Sequence, residues 1–365
     1  AHRADPLITY MHLMYKKAKE KGLVVDRAAL VAQGASVALY PGVTDWFGAI
    51  GDYVRLRAET PGIELRHYRL RQGVRFAAPE AAGSLSIDFD GELKLTGVTP
   101  TSQNVTSGES LALTLYWQAQ QALNDDYWLS LRLVDPAGRV VSVLNERPAG
   151  YGYPTTRWQP LTITPGSYRL AVPPATAPGD YTVQAIVFAP ARGQTLSVLD
   201  ARGAPAGISA SVGTVTVSAP ALPPAVESLG LARVLRLPLN PDIELLATNL
   251  ADQNVRQGET VSFAIAWRST KQTANDYTAR LRLTAGGALL SETVVPLAAT
   301  DYATSRWPAG SIVRSQYEVT VPANAPAQVD VEVALTEGAP QTIARLTVSP
   351  VARSTAVPAM QHAQQ

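Results

Sequence analysis

Cysteine is absent from this 365-residue chain, which excludes disulfides, thiolate catalysis and cysteine-based zinc sites together. Histidine is scarce: His2, His12, His67 and His362 are the only four, and none falls in the long stretch between residues 76 and 350. That argues against a hydrolase built on Ser, His and Asp. There is no HExxH, no GxSxG elbow, no Walker glycine loop and no complete dinucleotide fingerprint. No apolar run reaches the ~18 residues needed to span a bilayer. A net charge of +1 offers no concentrated basic face, so nucleic acid is not an expected partner. Neither a cofactor nor a metal is expected, and no residue set identifies a catalytic role.

What is plentiful points to β structure. Hydrophobic residues make up 46% and charged residues 17%, with 26 Gly and 27 Pro, a balance suited to strands joined by tight turns. The length suits two or three domains. Charge is uneven: residues 1–75 hold 12 Lys or Arg against 7 Asp or Glu, a net of +5, while the rest hold 19 against 23, a net of −4. Such a basic end could sit beside an anionic membrane surface, and a solvated helix face explains it equally well. The chain opens at "AHRAD" with neither an initiator Met nor a signal-peptide apolar region, and so reads as a processed or excised part of something larger.

In the first segment, Leu7, Ile8, Met11, Met14 and Tyr15 fall at helical spacing, with lysines gathered before Gly22. Asp26 can cap a second short helix through Ala32, and "ASVALYP" reads as a buried strand. Thr44 or Asp45 then caps a predicted helix over "WFGAIGDYVRLRAE", and "IELRHYRL" after the Pro61-Gly62 turn reads as a strand. Helices alternating with strands imply a small α/β segment.

From about residue 80 the pattern becomes short alternating strands, and the chain repeats itself. "SGESLALTLYW" at 107–117 aligns with "QGETVSFAIAW" at 257–267, and "DDYWLSLRL" at 125–133 with "NDYTARLRL" at 275–283. The offset of 150 drifts to 148 only between strands, as loop insertions in a duplicated domain would make it. One parity carries Leu111, Leu113, Leu115 and Trp117, matched by Val261, Phe263, Ile265 and Trp267. These should point inward. Tyr127, Leu129, Leu131 and Leu133 do the same on the next strand, matched by Tyr277, Ala279, Leu281 and Leu283. Asp135-Pro-Ala-Gly138 and "AGG" at 285–287 supply hairpin turns. About seven short strands per copy around a buried Trp imply two tandem immunoglobulin-like antiparallel β-sandwiches in a mainly β protein. The first copy also carries an extra stretch, "TLSVLDARGAPAGISAS", read as a loop insertion. The expected organisation is a small α/β segment over 1–75 and a first sandwich over 76–220. A Pro-rich linker over 221–226, a second sandwich over 227–350 and a disordered tail over 351–365 follow.

Candidate functional residues are mostly aromatic. Trp128 has the opposite parity to its core-facing neighbours and its counterpart is Thr278, so it could form a platform unique to the first copy. Tyr151 and Tyr153 lie in a loop that could join it. "YPTTRW" and "YATSRW" repeat a Tyr, an Arg and a Trp: Tyr153, Arg157 and Trp158, then Tyr302, Arg306 and Trp307. Ligand sites tend to diverge between copies while packing devices persist, so this motif favours architecture. The Trp would cover an end of the sandwich, and the Arg would stack on an aromatic or bond loop carbonyls. Asp125-Asp126 and Asp276 precede strands, where turn roles outweigh glycosidase or calcium chemistry. Asn104-Val-Thr106 matches a glycosylation acceptor.

The run "GELKLTGV…SGESLALTLYW…NDDYWLSLRLVDPAGRVV…YPTTRWQP…YRLAVPPATAPGDYTV" resembles the β-sandwich tails of certain large bacterial membrane glycosyltransferases related to the dolichyl-phosphate-mannose protein mannosyltransferases. "DPLITYMHL…VVDRAALVAQGASVALYPG" is similar to the small extracytoplasmic α/β segment that precedes such tails. In that family a polytopic membrane domain transfers sugar from a polyisoprenyl phosphate donor, using acidic residues on extracytoplasmic loops. None of that machinery lies in this sequence, so no active residue carries over. The resemblance implies an extracytoplasmic, cell-surface or membrane-tethered module that is itself non-catalytic. It would be the acceptor-binding, glycan-binding or scaffold region of a membrane glycosyltransferase, with the membrane-embedded region upstream and a glycan or protein as partner. The alternative is a cell-surface structural or adhesive protein that uses its sandwiches as spacers.

Overall fold

A computed structural model of the chain describes residues 50–57, 64–70, 83–100, 104–150 and 152–350. The helices expected within 5–32, the strand expected at 35–41, the tail from 351 and Tyr151 lie outside the described residues. The chain divides after Ala78 into two compact units.

In the first unit, β1 (Ile50–Arg57) and β2 (Glu64–Leu70) pair antiparallel, with Tyr53 opposite Tyr68 and Arg57 opposite Glu64. This corrects the helix predicted over Trp46–Glu59 at its described residues, Ile50–Arg57. Gly51 weakens a helix there and Tyr53 and Val54 favour strand, so pairing with β2 overrides the helical spacing.

The second unit holds two β-sandwiches. The first is built from β3 (Gly83–Phe89), β4 (Leu93–Pro100), β5 (Asn104–Thr106), β6 (Ser110–Ala119), β7 (Trp128–Val134) and β8 (Val140–Glu146). It continues with β9 (Ile163–Ala171), β10 (Gly179–Ala189), β11 (Gln194–Thr195), β12 (Val198–Leu199), β13 (Pro205–Gly207) and β14 (Ala210–Ser218). One sheet runs β13-β12-β3-β4-β6-β9 and the other β5-β14-β10-β7-β8, with β11 paired to β10. The second sandwich comprises β15 (Arg233–Pro238), β16 (Ile243–Thr248), β17 (Gln253–Arg256), β18 (Thr260–Ser269) and β19 (Thr278–Ala285). β20 (Ala288–Pro296), β21 (Ile312–Thr320), β22 (Gln328–Leu335) and β23 (Gln341–Ser349) complete it. Its sheets run β15-β16-β18-β21 and β17-β23-β22-β19-β20, the same plan without the three extra strands.

Two expectations need amending. Each sandwich contains one parallel pair, β5 with β14 and β17 with β23, because a short early strand must cover the edge of the last one. The extra stretch of the first copy is also more than a loop, since β12 adds to the free edge of β3 and β13 extends the sheet further.

Alternation places the core as the sequence implies. Leu111, Leu113, Leu115 and Trp117 of β6 meet Leu129, Leu131 and Leu133 of β7 in one interior, and all are buried. Val261, Phe263, Ile265, Trp267, Ala279, Leu281 and Leu283 repeat this in the second. Each Val, Leu, Ile or Phe among them taken fully from water contributes about 1.5–3 kcal/mol. The buried tryptophans also satisfy their one donor. Trp117 Nε1 donates to Tyr168 Oη at 3.1 Å, and Tyr168 in turn donates to the Pro148 carbonyl. Trp267 Nε1 donates to Tyr317 Oη at 2.8 Å, which donates to the Leu297 carbonyl at 2.8 Å. Desolvation pushes both phenols well above the ordinary tyrosine range, so they remain protonated donors.

The sandwiches are joined by more than their linker. Residues Ala175–Ala177, between β9 and β10, run beside β21: Arg314 N–H donates to the Ala175 carbonyl at 2.6 Å, and Ala177 N–H donates to the Arg314 carbonyl at 3.2 Å. Ala177 is wholly buried within the second interior. Gly179 follows at φ +138°, and a Cβ there would lie 2.7 Å from Thr300, whose hydroxyl donates to the Pro178 carbonyl. The Arg139 guanidinium lies 5.6 Å from the centre of the Tyr317 ring. After the linker, the 3₁₀ turn Val226–Leu229 sets Leu229 and Leu231 on the outward face of the β16–β18–β21 sheet, against Leu246, Ala247, Ala264 and Ala266. That face accepts them because Ala264 and Ala266 stand where the first copy has Thr114 and the bulky Tyr116.

Candidate functional site

The repeated Tyr/Arg/Trp motif is built as a plug. In each copy a 3₁₀ turn, Thr155–Arg157 or Thr304–Arg306, follows a residue in extended conformation and delivers a buried Trp. Trp158 Nε1 donates to the Tyr153 carbonyl at 3.1 Å, and Trp307 Nε1 to the Tyr302 carbonyl at 3.0 Å. Tyr302 stacks on Trp307 at 6.1 Å, Arg306 lies 5.6 Å over the Tyr302 ring, and its Nη1 donates to the Asp301 carbonyl at 2.9 Å. Tyr153 packs on Trp158 at 6.2 Å and donates to the Arg157 carbonyl at 3.3 Å. Trp158 and Trp307 therefore face inward, while Arg157 and Arg306 are exposed.

Sequence reading missed the central residue of this motif, a Thr two positions after the Tyr. Thr155 Oγ1 accepts the Tyr127 N–H at 2.8 Å and donates to the Asp125 carbonyl at 2.7 Å. Thr304 Oγ1 does the same with Tyr277 N–H at 2.8 Å and the Asn275 carbonyl at 2.7 Å. The signal was present as the shared T in "YPTTRW" and "YATSRW". Thr155→Val preserves shape but strands two backbone groups, so it should lower stability by about 1–3 kcal/mol, read from the urea midpoint. An unchanged midpoint would contradict this bracing role.

Trp128 begins β7 on the outward face, half-buried, directly opposite Phe188 of β10, with ring centres 6.5 Å apart. The Arg147 guanidinium lies 5.7 Å from the Trp128 ring and is held by Asp126, with Nε 2.6 Å from Oδ2. Beneath this shelf the Tyr127 hydroxyl donates to Glu92, and Arg192 pairs with Asp125 at 2.6 Å. Asp125 and Asp126 are thus occupied by cations.

The second copy keeps the support and changes the shelf. Tyr277 Oη donates to Asp242 at 2.7 Å, and Lys271 pairs with Asp242 at 3.0 Å. The hydrogen bond from Tyr277, with that from Lys271, holds the Asp242 carboxyl below its ordinary value. Thr278 and Thr336 replace Trp128 and Phe188, their hydroxyls 2.5 Å apart. Glu92 and Asp242, both partners of a tyrosine hydroxyl, were not legible as a pair because each sits about 35 residues before its tyrosine.

No protein-family model matches the chain, and no curated protein matches it. Among solved structures it is similar to the crystal structure of the C-terminal domain of Wzt, with 10% sequence identity and a TM-score of 0.25 over 36% of this chain and 77% of that one. A likeness of that degree assigns neither family nor function. Among the described residues, no group of three or more His, Asp or Glu is arranged to hold a metal ion, and no helix is long and apolar enough to cross a membrane.

Proposed function

We propose that this chain is a non-catalytic extracytoplasmic module, the glycan-binding or scaffold region of a membrane glycosyltransferase, and that it holds sugar on the Trp128 shelf. One observation carries the reading: two aromatic rings lie side by side on an outward sheet face in the first copy, where the second copy has two threonines. An indole face stacks on the C–H face of a sugar ring, and the Arg147–Asp126 pair, whose guanidinium lies over the indole, offers donors and acceptors to the hydroxyls. The resemblance of the strand phrases to glycosyltransferase tails supports the extracytoplasmic placement and the membrane-embedded company. On a glycan array followed by titration, Trp128→Ala should weaken binding at least ~10-fold, equivalent to about 1.4 kcal/mol. Equal binding by the variant, or no signal on any glycan, overturns the reading.

A second reading, a cell-surface structural or adhesive protein, is favoured by the junction, whose backbone hydrogen bonds and buried Ala177 suit a stiff spacer. The coding sequence upstream of Ala1 separates the two. Many hydrophobic spans accord with the first, and a plain signal peptide or further β repeats with the second.

A further inference from the structure

The position occupied by the Trp128 shelf in the first sandwich is an open cleft in the second. A cavity of about 670 Å³ lies there, its polar lining supplied by Asn240, Asn275, Asp276, Thr278, Thr336 and Glu337 and its apolar lining by Leu239, Tyr277 and Leu335. An adjoining cavity of about 320 Å³ shares Asp276, Tyr277 and Thr278 and extends to Tyr302. The larger volume falls within the ~300–1,000 Å³ of ordinary ligand sites.

Its polar groups are held in place from below. Asn240 Oδ1 accepts the backbone N–H groups of Asp242 and Ile243 at 2.8 and 2.7 Å, which orients the amide with its NH₂ as donor. Asn275 Nδ2 donates to Tyr277 Oη at 3.2 Å, and that hydroxyl is itself committed to Asp242. Asp276 is fixed by the Ser305 N–H at 3.1 Å, and hydrogen bonding from the Ser305 hydroxyl, together with that N–H, keeps its carboxyl below the ordinary value. Arg280 Nη2 donates to the Gly338 carbonyl at 3.1 Å.

We infer that this cleft is a second saccharide site, independent of the Trp128 shelf and selective for neutral or amino-bearing oligosaccharides; the inference rests on the glycan reading above. Amide, hydroxyl and carboxylate groups placed on neighbouring strand ends match the alternating donors and acceptors of a polyol. The carboxylates of Asp276 and Glu337 repel uronates, sialic acids and phosphorylated sugars, and among the described residues no Lys or Arg lines either cavity. Since Ala175–Ala177 bonds to β21, the two sites ride on one body, and a long glycan that reached both would gain avidity without any new contact.

The test uses the full chain and calorimetry with a panel of neutral trisaccharides, chitotriose among them, and sialyllactose as acidic control. The wild type should bind at two sites, Trp128→Ala at one, and Trp128→Ala combined with Asn275→Leu and Thr336→Val at none, each change being at a surface position. Glu337→Arg in the Trp128→Ala background serves as an independent check and should also abolish neutral binding. Complete loss in Trp128→Ala alone overturns the second site and leaves the glycan reading standing. Two sites surviving Trp128→Ala, both insensitive to the cleft changes, overturn the inference, and no binding by the wild type overturns inference and reading together. Sialyllactose held by the cleft in Trp128→Ala overturns the selectivity.

Discussion

Trp267→Ala should lower the stability of the second sandwich by about 3–5 kcal/mol, among the largest losses a single truncation produces. Trp267 is wholly buried near the C-terminal end of β18, edge-on to Tyr317 at 6.2 Å. Truncation removes one of the two wholly buried tryptophans of that interior and opens a cavity that the strands of two paired sheets cannot collapse to fill. It also withdraws the Nε1 donor from Tyr317, whose hydroxyl donates toward the Leu297 carbonyl at 2.8 Å and the Pro296 carbonyl at 3.2 Å. Tyr317→Phe separates the two effects: it keeps the ring and should cost about 1–3 kcal/mol, since Trp267 Nε1 and the Leu297 carbonyl lose their partner. Both are read from urea denaturation. A loss below about 1 kcal/mol for Trp267→Ala would mean that this interior is not dry and close-packed.

Ala177→Asp should uncouple the sandwiches. The residue is fully buried among side chains of the second interior and lies on the strand-like segment that bonds to Arg314. An uncompensated charge at such a place costs about 3–5 kcal/mol, and the chain can avoid part of that by releasing the segment. Release exposes Ala175 and Ala177 and breaks two backbone hydrogen bonds. The expected result is a single unfolding transition that divides into two, with a larger radius of gyration by small-angle scattering. Gly179→Ala should act in the same direction, because its Cβ would lie 2.7 Å from Thr300 and its φ of +138° disfavours any side chain. One cooperative transition in both variants, at an unchanged radius, would show that the junction carries no energetic coupling.

Much of this molecule is readable because strands have a period of two. Once Trp117 and Trp267 were matched, inward and outward residues followed for β6, β7, β18 and β19, and the buried sets agree. The first segment was less legible: in "WFGAIGDYVRLRAE" local spacing favours a helix, and only the partner strand β2 decides otherwise. Trp128 stood out by parity, but Phe188 did not, because nothing in the order of residues says that β10 lies beside β7 with these two rings abreast. The extra strands β12 and β13 were hidden for a similar reason, β12 pairing with β3 across more than 100 residues and β13 pairing with β12.

By itself the sequence determined the duplication, the mainly β sandwich plan and the inward tryptophans, since these follow from a repeat and from an alternation that any strand must obey. Only the tertiary structure decided that a Thr braces each Tyr/Arg/Trp plug, that Ala177 enters the neighbouring interior, and that one location is an aromatic shelf in the first copy and an open polar cleft in the second. Each of those depends on strands or loops distant in the chain being brought within a few ångströms, a relation that sheet pairing creates and residue order does not contain.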